Sequence, residues 1–157
     1  MSYRDDLLAL MAESWTDLRE EIAKVRDQFD IEAKNGWRMQ DRIAHIAVWE
    51  RMAARKIAKF PLPEGEEFAA ERPWSLSRFN KAMVDLWQPR SAAEVLAELD
   101  AAHSALIKAI QETDEAGCAP GKRRWNTIHA DGAGHYCSHF PIEDRLALAR
   151  KTANAGT

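Results

Sequence analysis

Leu7, Leu8, Met11, Trp15, Leu18, Ile22, Val25 and Phe29 return at steps of three and four, which is the period that puts apolar side chains on one face of an α-helix. A stripe of this kind has to be buried against another element, and three further stretches carry one. Met39, Ile43, Ile46, Trp49, Ala53 and Ile57 mark the second, and Val95, Leu99, His103, Leu106 and Ile110 the third. Ile128, Gly132, His135, His139, Ile142 and Leu146 mark the fourth. Four such stripes predict an all-α fold, an antiparallel four-helix bundle with a long crossover containing a short extra helix. Bundle helices are expected near 3–29, 38–58, 91–115 and 126–149.

Start and stop signals sharpen these bounds. Ser2 with Asp5, and Ser91 with Glu94, form capping boxes at the heads of the first and third helices. The first helix then runs for about 27 residues, or roughly 40 Å. Asn35-Gly36 supplies a turn, and the second helix stops before Phe60-Pro61-Leu62-Pro63. Residues 60–73, with three prolines, a glycine and four glutamates, read as connection rather than core. Ser75 or Ser77 caps the short helix, which carries Phe79, Met83, Leu86 and Trp87 and ends at Pro89. Trp125-Asn126-Thr127 opens the last helix, with Asn126 or Thr127 as its cap. Pro141 is expected to kink that helix just past His139.

At 157 residues the chain fits one domain, read as 1–150, followed by a small polar tail, 151–157, that frays. Lys and Arg number 22 against 25 Asp and Glu, a net charge of −3 with no strongly basic block, so nucleic acid is not an expected partner. No run of 18 apolar residues suits a membrane, and the N-terminus has no signal-peptide core. Cys118 and Cys137 fall in unrelated contexts and do not suggest a disulfide framework, so the cytoplasm is the expected compartment.

His135 and His139 carry the chemistry. Four residues apart on a helix, two imidazoles stand one above the other about 5–6 Å apart at Cβ, and both sit on the apolar seam, where a polar ring needs a partner. A metal ion is one such partner. A backbone carbonyl or carboxylate inside the core is the other, as buried polar groups generally find one. A third ligand is available from His45 or from His103, which shares the seam of its own helix. Asp41, one turn before His45, is placed either to orient that imidazole or as an ordinary acid at a helix start. Asp41 and Glu50 are the candidate catalytic carboxylates, by proximity to His45. Trp74, Trp87 and Trp125 fall near loops or helix ends, where an aromatic ring covers a pocket or a partner surface; Trp15 and Trp49 lie on apolar stripes as core residues.

Gly36-Trp37-Arg38-Met39-Gln40-Asp41-Arg42-Ile43-Ala44-His45-Ile46-Ala47-Val48-Trp49-Glu50 resembles the second-helix signature of the DinB-like superfamily, which includes YfiT-type and ClbS/DfsB-type bundles. Gly134-His135-Tyr136-Cys137-Ser138-His139-Phe140-Pro141-Ile142 is similar to its fourth-helix run, and 91–99 to the start of its third bundle helix. The resemblance implies a four-helix bundle with a divalent metal ion, nickel or zinc, held by His45, His135 and His139 near one end. It also implies activities ranging from thiol-dependent transfer and isomerisation to opening of an electrophilic cyclopropane. The sequence departs from the ClbS branch around the last helix, so self-resistance is not carried over.

Together these features describe a metal-dependent enzyme, a hydrolase or thiol transferase acting on a small electrophilic molecule, with a low-molecular-weight thiol as candidate cosubstrate. The alternative is a non-catalytic metal-binding or structural bundle that acts through a homodimer interface.

Overall fold

Ser2 accepts a hydrogen bond from the Asp5 backbone while the Asp5 carboxylate receives the Ser2 N–H, and this reciprocal cap starts α1 (Tyr3–Lys24). In the computed structural model, which describes residues 2–32, 36–58 and 75–139, α1 is shorter than its apolar stripe. Its 22 residues give about 33 Å. The stripe continues through a tight 3₁₀ turn, Arg26–Gln28, which still buries Val25 and Phe29. Gly36, at φ +80°, turns the chain where Asn35-Gly36 signals it.

α2 (Met39–Ala58) is the most deeply embedded helix. Its first turn is fixed from several sides. Met39 and Gln40 donate backbone hydrogen bonds to the carbonyls of Ile31 and Phe29, and the Gln40 side chain donates to Arg90 O at 2.9 Å. The buried Asp41 accepts from the Arg38 backbone and, in a two-pronged pair, from the Arg38 guanidinium at 2.8 and 3.2 Å. α3 (Leu76–Trp87), capped by Ser75, is the short extra helix, and it packs on α2. α4 (Ala92–Gln111) opens with the Ser91/Glu94 capping box.

The last segment differs from the regular helix that its seam predicts. It begins as α5 (Arg123–Thr127), with Lys122 rather than Asn126 or Thr127 at the N-cap. It then widens into a π-turn at Ile128–Ala133 and resumes as α6 (Gly134–His139). Gly132 leaves the helical region altogether, at φ −103° and ψ −109°. Two glycines allow this course. A Cβ on Gly132 would stand 3.0 Å from Met11 Sδ, and one on Gly134 would stand 2.2 Å from the His129 carbonyl oxygen, to which the Gly134 N–H donates. The Pro141 kink, the seam residues Ile142 and Leu146, Trp74, the crossover 59–74 and the tail 151–157 lie outside the described residues.

Around the bundle the order is α1, α4, α2 and the last segment. α1 runs antiparallel to α4, as Arg19–Asp100 and Arg4–Thr113 show, and the last segment runs antiparallel to α2, as Lys56–Asp131 and His45–His139 show. Across the crossover, α2 and α4 point the same way: Arg38 meets Gln88 and Arg51 meets Glu98. A tight loop cannot join helices in that sense, whereas a crossover can. Among the described residues the core is a single cluster, with Leu18, Ile46, Leu99 and Ile128 among its fully buried members. Among the described residues no strand forms beyond one isolated bridge, Glu32 to Arg38, and no helix is long and apolar enough to cross a membrane.

Candidate metal centre

The anchoring of the first turn of α2 fixes the height of His45, six residues on, and its ring is 5 % exposed, between α2 and α6. From α6, His135 and His139 reach the same point. His135 Nε2 lies 3.1 Å from His45 Nε2 and 3.1 Å from His139 Nε2, and one ligand atom from each of the three rings falls within 4.8 Å of the others. Two nitrogens held about 2.0–2.1 Å from a tetrahedral zinc ion stand about 3.3 Å apart, so the spacing suits a shared divalent ion.

Hydrogen bonding within the triad does not satisfy these rings. His135 Nε2 faces two other nitrogens with only one proton or one lone pair to offer. The Nδ1 atoms of His45 and His135 are buried without a hydrogen-bond partner among the described residues. A divalent cation at the Nε2 focus would take one lone pair from each ring, where hydrogen bonding among the three nitrogens cannot be completed, and so fits the donor set, while the Nδ1 atoms face away from it. Burial first, with His135 and Arg42 adding to it, pushes His45 down to about 3, and burial pushes His135 down to about 4. Both rings are therefore neutral at pH 7, the form in which imidazole ligates.

An aromatic collar surrounds the triad. Trp37 stands 5.3 Å from His45, and Trp49 stands 6.2 Å from His45 and 5.8 Å from His135, ring centre to ring centre. Trp49 is held from behind, where its indole N–H donates to Asn80 of α3 at 3.2 Å, Phe79 meets its ring edge-on, and the Lys56 ammonium lies 5.7 Å over it.

The model of the DinB superfamily matches residues 10–139, most of the chain. The chain belongs to the DinB superfamily. No curated protein and no solved structure matches it.

Within this DinB bundle the remaining residues singled out from the sequence take other places. Asp41 is committed to Arg38 rather than to His45. His103, the rival third ligand, stands apart from the triad in a second polar cluster. Its ring stacks on Trp15 at 3.8 Å and 7°, and its Nδ1 lies 2.9 Å from Glu50 Oε1. Glu50, fully buried, also accepts a hydrogen bond from the Tyr136 hydroxyl. Burial raises its pKa against the opposing pull of those two hydrogen bonds. Trp87 packs partly buried against the core, and Trp125 lies on His129. Trp37 and Tyr136 are site neighbours that lie off the apolar stripes, and Trp49, expected as a core residue of its stripe, stands instead against His45 and His135. Trp37 and Trp49 were nonetheless visible as the flanking tryptophans of the Trp-Asp-Ala-His-Trp pattern.

Acid should weaken the metal-free fold of this DinB protein through the triad. The folded pKa values of His45 and His135 lie below the unfolded value near 6.5, so the unfolded chain binds more protons between about pH 6.5 and 4, and stability falls as pH falls through that window. On lowering the pH from 7 to 5, each ring should cost on the order of 1–2 kcal/mol. Glu50, with its pKa raised, acts in the opposite sense, because its protonation favours the folded state. Urea titrations of chelator-treated protein isolate the histidine effect: His135→Ala should lose less stability between pH 7 and 5 than the unsubstituted chain. Equal losses would contradict the burial argument.

Proposed function

We propose that the chain is a metal-dependent enzyme, a hydrolase or thiol-dependent transferase acting on a small electrophilic molecule, with nickel or zinc held by His45, His135 and His139. The observation that carries this reading is the convergence of three imidazole nitrogens, one from each of His45, His135 and His139, at a focus flanked by tryptophan. Three-histidine sets suit catalytic ions, which keep a position for water or substrate, whereas structural zinc takes four protein ligands. A bound divalent ion would supply Lewis acidity and lower the pKa of water or of a low-molecular-weight thiol toward neutrality.

The chain's own residues supply the rest. Neutral His45 and His135 leave the full charge of the ion unopposed, as carboxylate ligands would not. Trp37 and Trp49 offer apolar faces to the body of a small substrate and limit the access of bulk water, with Asn80 fixing the tilt of Trp49. Asp41 and Glu50 are each engaged elsewhere by hydrogen bonds, so neither carboxylate is assigned as general base in this reading, and the proton released by the bound water or thiol would pass to solvent.

The test compares metal-loaded protein with His139→Ala across a panel of epoxides and other small electrophiles, with and without small thiols. Turnover of at least one substrate should be about tenfold or more faster with the intact triad, since losing even a group that only supports a metal ligand typically costs about 10- to 100-fold in activity. Equal rates across the panel would contradict the enzyme reading for those substrates. X-ray absorption showing a fourth protein ligand would favour the structural alternative.

A further inference from the structure

The described part of α6, Gly134–His139, follows a π-turn in which Gly132 leaves the helical region, so its rotation about its own axis is not set by a continuous helix upstream. Yet rotation is what aims its histidines. A turn of about 10° carries an atom roughly 6 Å from a helix axis through about 1 Å, several times the ±0.2 Å within which metal–ligand distances are held.

Tyr136 reaches from α6 deep into the bundle. Its ring is 1 % exposed, and its hydroxyl donates to Glu50 of α2 and lies 3.3 Å from Nδ1 of His103 on α4. Trp15 of α1 lies 6.4 Å from the Tyr136 ring and stacks flat on His103, which locks that imidazole in turn. All three other bundle helices thus meet around one phenol. At about 100° per residue, His135 and His139 project about 40° apart and both to the same side of Tyr136. Fixing the phenol therefore fixes both imidazoles.

We infer that Tyr136 is the positioning residue of the metal centre: its hydroxyl, anchored on Glu50 and His103, sets the rotation of α6 that brings His135 and His139 onto His45. The inference rests on the metal reading given above. It gives a role to a carboxylate in the core of the bundle, with Oε1 engaged by Tyr136 and His103 and Oε2 without a hydrogen-bond partner among the described residues. It also separates the roles of the two polar clusters, one to hold an ion and one to aim its holders.

Cobalt(II), added alone to the full chain, reports both affinity and ligand geometry through its visible absorption. Tyr136→Phe keeps the ring and removes the anchor, and it should weaken cobalt binding by about 10- to 100-fold, as loss of a ligand-orienting partner does, with an altered spectrum. Glu50→Gln still presents an acceptor oxygen and should bind within about threefold of the unsubstituted chain, whereas Glu50→Ala should behave like Tyr136→Phe. The double variant, Glu50→Ala with Tyr136→Phe, should be no weaker than either single one. Should Tyr136→Phe fail to fold, the contrast between Glu50→Gln and Glu50→Ala carries the same test. A Tyr136→Phe protein that is less stable to urea but has unchanged cobalt affinity and spectrum would overturn the inference alone. An unsubstituted chain that takes up no cobalt would overturn the metal reading, and this inference with it.

Discussion

Alanine in place of His135 is expected to lower zinc or nickel affinity by at least about a hundredfold, beyond the 10- to 100-fold typical of groups that merely orient a ligand. His135 is the middle member of the triad, 3.1 Å from each of the other two Nε2 atoms, so its loss removes the ligand that both of the others face. The fold should survive the change. The ring is part-buried, its Nδ1 has no hydrogen-bond partner among the described residues, and burial already disfavours its charged form. Competition with a chromophoric chelator measures the affinity, and urea unfolding of the metal-free variant measures the fold. A variant that binds as tightly as the original would remove His135 from the site.

Gly134→Ala should have the second large effect, with a sign opposite to that of an ordinary glycine in a helix. Inside a regular helix the exchange gains about 1 kcal/mol by propensity. Here the new Cβ would meet the His129 carbonyl oxygen at 2.2 Å, a contact with backbone that no side-chain rotation relieves. The π-turn must then rearrange, at the 1–3 kcal/mol that overpacking typically costs, and α6 moves with it. Unfolding by urea should show a net loss of about 2 kcal/mol, accompanied by weaker metal binding. A gain in stability would mean that the segment runs as a regular helix, as its seam alone suggests.

That contrast marks the limit of what the sequence tells about this fold. Steps of three and four place Leu18, Ile46, Leu99 and Ile128 in the core because burial of a stripe is a property of its period. The capping boxes are equally local and equally legible. Height along the bundle is not a periodic property. His103 lies on the seam of its helix and His45 only beside the stripe of its own, yet it is His45 that reaches the triad while His103 stacks on Trp15; the pattern around His45, not its period, separates them. Glu50 had a signal that went unused: Ile43, Ile46, Glu50, Ala53 and Ile57 follow steps of three, four, three and four, so the glutamate stands on the buried stripe and needs buried partners. The two glycines flanking Ala133 warned of an irregular helix. That the irregularity is a π-turn follows from the contacts with Met11 and the His129 carbonyl, which no local pattern encodes.

The most direct test of the three-histidine centre is elemental analysis of protein purified without chelator or histidine tag and then equilibrated with zinc or nickel, comparing the unsubstituted chain, His45→Ala and His103→Ala. One ion per chain in the unsubstituted protein and in His103→Ala, with none in His45→Ala, is the result expected from Nε2 atoms that converge within 4.8 Å. A full complement of metal in His45→Ala, or none in the unsubstituted chain, would contradict it.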